Sequence, residues 1–163
     1  MHGERRPAPA AVVGVATAGL AQDADNILVI DVGGSVTGTV EIALRPDVAP
    51  KHVERIKELA RAGAYNDVVF HRVIDGFMAQ TGDVAYGTVA AFPQGMAGTG
   101  GSDKPDLPAE FSTLPFEAGT VGMARSSDPD SANSQFFIMF APAPHLNGQY
   151  SVVGQVISGQ DVI

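Results

Sequence analysis

The chain of 163 residues contains no cysteine. That removes disulfides, thiolate metal sites, a thiol nucleophile and a lipidated cysteine anchor, while leaving the compartment open, because an exported protein can fold without disulfides. Tryptophan is absent as well. Basic residues are scarce, 10 Lys+Arg against 18 Asp+Glu, for a formal net charge of −8. Phosphate binding needs a basic face, so nucleic acid is excluded as a partner, and the acidic surface reads as a solubility device. Four scattered histidines without clustered carboxylates make no metal site, and nothing in the pattern asks for a cofactor. The run from Ala8 to Ala21 is small and apolar but shorter than the ~20 residues of a membrane span, so stable membrane insertion is not expected.

That run follows Arg5 and Arg6 and ends in Gly19, Leu20 and Ala21, small residues where a signal peptidase inspects the chain. Residues 1–21 therefore read as a secretory leader, with a single domain over 22–163. The competing reading is a low-complexity extension. A leader places the mature protein in the periplasm or outside the cell; without one it is cytoplasmic.

A 45% hydrophobic composition with 19 Gly and 11 Pro suits one loop-rich β domain with a real core. Ile27 to Val32 and Gly38 to Leu44 are strands flanking a Gly33-Gly34 turn signal. After Pro46 and Pro50, Val53, Ile56, Leu59 and Ala60 recur at helical spacing. Lys51, Glu54, Arg55, Lys57, Glu58 and Arg61 take the wet side, with His52 there too, and Gly63 is the stop. Val68 to Ile74 is a third strand, apolar on both faces and so expected to be covered on both. Val84 to Glu110 is a long loop, the kind that is usually functional. Strands follow at Thr120 to Ala124, Gln135 to Phe140 and Ser151 to Ile157. In the second of these, Gln135, Phe137 and Met139 alternate with Phe136, Ile138 and Phe140. No repeat and no linker interrupts the chain.

The most informative stretch is 70–83. Arg72, a permanent cation, lies inside an otherwise apolar strand, which is costly unless its donors have work. Phe77, Met78 and Gln80 follow a glycine turn. With Gln135, Phe136, Phe137 and Ile138, this stretch resembles the cyclophilin family of peptidyl-prolyl cis/trans isomerases, from about Asn26 to the last residue. The resemblance implies a mainly β fold, a closed antiparallel eight-stranded barrel capped by helices. The chain stops at Gln160-Asp161-Val162-Ile163, where cyclophilins open a second long helix and a final strand, so the domain is expected to lack both.

The resemblance also implies a reaction. Rotation about a prolyl peptide bond must break amide resonance, against a barrier of about 18–20 kcal/mol. Its catalyst needs a dry slot for the ring, a donor aimed at the prolyl nitrogen, and anchors for the flanking chain. No nucleophile, metal or base is required. Arg72 matches the family's catalytic arginine, held by Gln80 and Gln135, with Phe77 beside it. Met78, Phe137 and Leu146 join Phe77 in the proline slot, with Tyr150 at its rim. Ala124 and Arg125 match the strand edge that binds substrate backbone, an Arg standing where many relatives carry Asn. Gly98 and Thr99 line a neighbouring subsite. The family's tight cyclosporin binders carry a pocket tryptophan, and His145 takes that place here, so weak cyclosporin binding is expected.

The partners so implied are proline-containing polypeptides, unfolded or exported, met by a monomer that speeds their folding. A non-enzymatic peptide-binding or chaperone module using the same groove is the rival. Other motifs read blandly. His71, opposite Arg72, is a hydrogen-bonded structural histidine. Asp128-Pro129-Asp130 is a turn, lacking calcium-loop spacing. Gly98 to Gly101 lacks the Lys-Ser/Thr of a phosphate loop.

Overall fold

The computed structural model describes residues 24–163 and, for their backbone alone, 2–4. The leader expected over 1–21 lies outside the described residues except for His2–Glu4. That short segment, β1, pairs antiparallel with β2 (Ile27–Val32), His2 opposite Asp31 and Glu4 opposite Val29.

Seven further strands follow β1: β2, β3 (Gly38–Leu44), β4 (Arg72–Ile74), β5 (Met78–Thr81), β6 (Thr120–Met123), β7 (Phe136–Met139) and β8 (Val152–Ser158). They form one sheet in the order β1-β2-β3-β8-β6-β7-β5-β4, antiparallel throughout. Among the described residues no ladder joins β1 to β4, so the sheet is a curled half-barrel and the expected closed barrel is not seen. Capping is also sparser than expected, with a single α-helix among the described residues, α1 (Pro50–Arg61).

The period-two pattern divides the sheet's two sides. Ile30, Val40, Ile42, Val121, Phe136, Ile138 and Val153 pack with Val53, Ile56 and Leu59 of α1 into the larger core. Met78, Phe137, Met139 and Val152 belong to a second cluster with Phe116, Ala143 and Leu146. Phe136 and Phe137 thus point to opposite sides, as alternation along β7 demands.

Two readings of the helix and one of the strands are corrected. His52 and Arg55, placed on the wet side by the pattern, are both buried. Arg55 donates to the Asn133 and Pro105 carbonyls, and His52 meets Glu110. These partners arrive from loops far along the chain, which helical spacing cannot register. Val68 to Ile74 is not one covered strand. Val68 bridges Thr88 and the Val69 amide donates to Gly87, so only Arg72–Ile74 enters the sheet. As the sheet's edge, β4 is exposed along its whole length.

Glu110 also begins the helix. Pro50 supplies the fixed φ of a first turn, but Ala49 offers no capping side chain. The Glu110 carboxylate accepts the Lys51 and His52 amides instead, at 3.2 and 3.0 Å. Burial raises its pKa, but the His52 ring and these two amides outweigh burial and hold the group below its ordinary value.

Candidate active site

β4 and β5 are joined by a tight turn in which the Phe77 amide donates to the Ile74 carbonyl. Gly76 sits at φ +74°, a left-handed conformation that suits glycine. This turn sets the register. Arg72 stands opposite Gln80, Gln80 opposite Phe137, and Phe137 opposite Gly122. Directly opposed residues share a face, so four strands present one row: a cation, an amide, an aromatic ring and a gap. Met78, two residues before Gln80, shares that face.

The gap is required. A Cβ on Gly122 would stand 2.6 Å from a ring carbon of Phe116 and 2.8 Å from one of Phe137. Those two rings stack with centroids 5.7 Å apart, and Tyr150 meets both edge-on. In front of them opens a cleft of 140 Å³ lined by Arg72, Phe77, Met78, Gln80, Phe137 and Leu146, with Ala124, Arg125 and Tyr150 at the boundary. The floor is apolar and the rim carries two guanidinium groups.

The expected brace for Arg72 takes another form. The Gln80 amide donates to the Gln135 carbonyl oxygen at 2.8 Å, and Gln135 donates onward to the Gly100 carbonyl at 2.8 Å. The two glutamines hold each other and the long loop. Arg72 is exposed, and among the described residues it has no hydrogen-bonded or carboxylate partner. It lines the cleft with its donors uncommitted among those residues.

Arg125 is committed. Its Nε and Nη2 donate to the Gln149 carbonyl at 3.0 and 2.7 Å, and Nη1 donates to the Ser126 carbonyl at 2.9 Å. Its guanidinium carbon lies 4.5 Å from the Tyr150 ring centroid, a cation–π arrangement that fixes both side chains.

A second cavity, of 260 Å³, lies against the first. Gln80, Ala124 and Arg125 line both, and the second is also lined by Gly98, Thr99, Gly100, Asn133, Gln135 and three serines, Ser126, Ser131 and Ser134. Two anchors, buried Asp83 and half-buried Asn133, shape its loop wall. Asp83 accepts the amides of Ala85, Tyr86, Gly98 and Gly100. Burial alone raises its pKa, but these four donors lower it further than burial raises it. Asn133 accepts from the Ser102 amide and hydroxyl and donates to the Lys104 carbonyl and to Asp106.

A scan against protein families matches residues 27–163 to the model described as cyclophilin type peptidyl-prolyl cis-trans isomerase/CLD. The chain belongs to that family of enzymes. A Brucella suis biovar 1 cyclophilin relative, named "Probable peptidyl-prolyl cis-trans isomerase", is 57% identical over 93% of this chain and 76% of its own length. An Arabidopsis thaliana peptidyl-prolyl cis-trans isomerase is 40% identical over 77% of this chain and 54% of its own. Among solved structures, a cyclophilin from Hirschia baltica superposes with a TM-score of 0.71 at 29% identity, covering 86% of this chain and 66% of that one. A Cryptosporidium parvum cyclophilin solved in the presence of the dipeptide Ala-Pro gives 0.67 at 29% identity, covering 77% and 76%.

Within this cyclophilin, twelve of the thirteen residues singled out from sequence line one or both cavities; His145 does not. It is exposed and stacks on Phe77 with ring centroids 6.0 Å apart, flanking the slot instead of lining it. His71 also departs from expectation. Its ring nitrogens are enclosed and make no hydrogen bond of good geometry. Burial lowers its pKa, and Arg72 adds to that, against the opposing pull of Asp83 and Gln135. Phe116, Gly122, Asp83 and Asn133 escaped the sequence reading. A phenylalanine beside Pro115 in a loop-like stretch was the only signal, and a weak one.

Proposed function

We propose that the chain isomerises prolyl peptide bonds, with the proline ring in the Phe77–Met78–Phe137–Leu146 slot and Arg72 as the donor. The observation that carries the reading is the uncommitted Arg72 guanidinium on the rim of an apolar cleft. As the amide twists, its nitrogen pyramidalises and its lone pair localises. A hydrogen bond from Arg72 then strengthens in the twisted state and is weak in either planar one, which is the condition for lowering the barrier. The Phe116–Phe137–Tyr150 wall keeps the ring dry, and the apolar surroundings strengthen the donor's field. The backbone at Ala124, beside the slot, anchors the flanking peptide while one half rotates. The Ala-Pro dipeptide with the Cryptosporidium relative supports proline-containing peptides as the ligand class.

A peptide-binding module without catalysis is the alternative, and a proline-isomerisation assay separates the two. Exchange between cis and trans Ala-Ala-Pro-Phe, followed by NMR line broadening at substoichiometric protein, is expected to accelerate. Binding without acceleration would replace the enzyme by the module. The exported role rests on the Arg5-Arg6 and apolar run alone, and mass determination of the chain recovered from periplasmic and cytoplasmic fractions tests it. Cyclosporin is expected to bind weakly, since exposed His145 offers little buried surface; a nanomolar inhibition constant overturns that. The protein is taken to act as a monomer.

A further inference from the structure

We infer that Arg125 makes this enzyme select an acidic side chain two residues before the proline. The inference rests on the isomerase reading of the cleft and adds a substrate preference to it.

The two cavities share a wall made of Gln80, Ala124 and Arg125. In an extended peptide, residues i and i+2 point to the same side about 6.6 Å apart, while the intervening side chain points away. With proline in the 140 Å³ slot, the neighbouring 260 Å³ cavity therefore receives a side chain two positions away, which we assign to the earlier one.

The charge of that cavity runs against the rest of the molecule. The chain carries 18 acidic and 10 basic residues, yet the second cavity is lined by one cation, Arg125, and no carboxylate. The slot adds Arg72, again with no carboxylate. Of the nearby acids, Asp83 is held by four amides behind the loop, and neither Asp128 nor Asp130 lines either cavity.

Arg125 is built to receive an anion. Four backbone-carbonyl contacts and the Tyr150 ring hold it in place, so little side-chain entropy is lost when a ligand arrives. Those partners are neutral, so the charge stays uncompensated, and of the five guanidinium N–H groups one on Nη2 is left for a ligand. The hydroxyls and amides of Thr99, Ser131 and Asn133 give the cavity a polar lining that tolerates a charged side chain better than an apolar one.

The test uses the full chain and three peptides, Xaa-Ala-Pro-Phe with Xaa Glu, Gln or Lys, read by NMR exchange for kcat/KM and by calorimetry for affinity. Glu is expected to exceed Lys by about three- to fivefold at low salt, the scale of a part-exposed ion pair. The ratio should shrink toward one at ~1 M salt, where screening is strong. In Arg125→Gln the Glu/Lys ratio should fall to one, and in Arg125→Lys it should partly survive. A salt-insensitive or absent preference in the unaltered protein, a ratio that persists in Arg125→Gln, or a preference seen only in Ala-Xaa-Pro-Phe overturns the inference. If no peptide is turned over, the isomerase reading fails by itself, and the affinity ratio still decides the charge preference.

Discussion

Arg72 and Phe137 stand in one row of the sheet, each directly opposite Gln80 on the strand between them. The backbone positions of the proposed donor and of the slot floor are thus spaced by the sheet itself. Replacing Arg72 by Ala should lower kcat/KM by about a hundred- to a thousandfold, the usual loss for one transition-state donor. Peptide affinity should change far less, because Arg72 contributes little to the apolar floor. NMR exchange alongside calorimetry separates the two, and equal losses in both would assign Arg72 to ground-state binding.

Gly122 is the tightest requirement of the slot. Gly122→Ala puts a methyl within 3 Å of both Phe116 and Phe137, and overpacking of this kind costs about 1–3 kcal/mol. A lower melting temperature is expected together with a raised KM, since the rings that must move form the pocket wall. Phe116→Ala should lower stability by about 3–5 kcal/mol through the cavity it leaves.

Asp83 ties acid sensitivity to the second cavity. Its folded pKa lies below the ordinary value of 3.8, so its stabilising contribution is complete above that value and is lost as pH falls through the depressed one. Acid titration should therefore loosen the 84–100 loop below about pH 4. Asp83→Asn should remove that part of the pH dependence and raise amide exchange at Gly98 and Gly100 already at neutral pH. Unchanged exchange at those amides would show the loop to be held by other means.

Glu110→Gln tests the long-range start of α1. The substitution weakens the contact with buried His52 and with two helix amides, and loss of a cap of this type costs about 1–2 kcal/mol. The effect should appear in melting temperature and not in turnover, because neither cavity touches Glu110.

Where local pattern and tertiary environment agreed, the sequence was a sound guide. Alternation along Gln135 to Phe140 placed Phe136 and Phe137 on their correct sides, and helical spacing found Val53, Ile56 and Leu59. Asp128-Pro129-Asp130 forms the expected turn, with the Asp130 amide donating to Asp128. Misses came where a partner arrived from far away. His52 and Arg55 looked like solvent-facing residues because Glu110, Asn133 and Pro105 are 50 to 78 residues distant. Edge or interior position is likewise decided by what pairs beside a strand, so the exposure of β4 was invisible in its apolar composition. Arg72, the proposed donor, stood out because a charge in such a run is locally anomalous, whereas Phe116 was one more aromatic until the fold stacked it on Phe137.

β4 ends the sheet. Its three residues are braced on one side only and bury nothing in either core. The group assigned to the chemistry is therefore mounted on an exposed edge strand, and drift at Val73 or Ile74 can retune speed and client range with little effect on the melting temperature. Such a layout lets lineages diverge in catalytic temperament without renegotiating how the polypeptide folds.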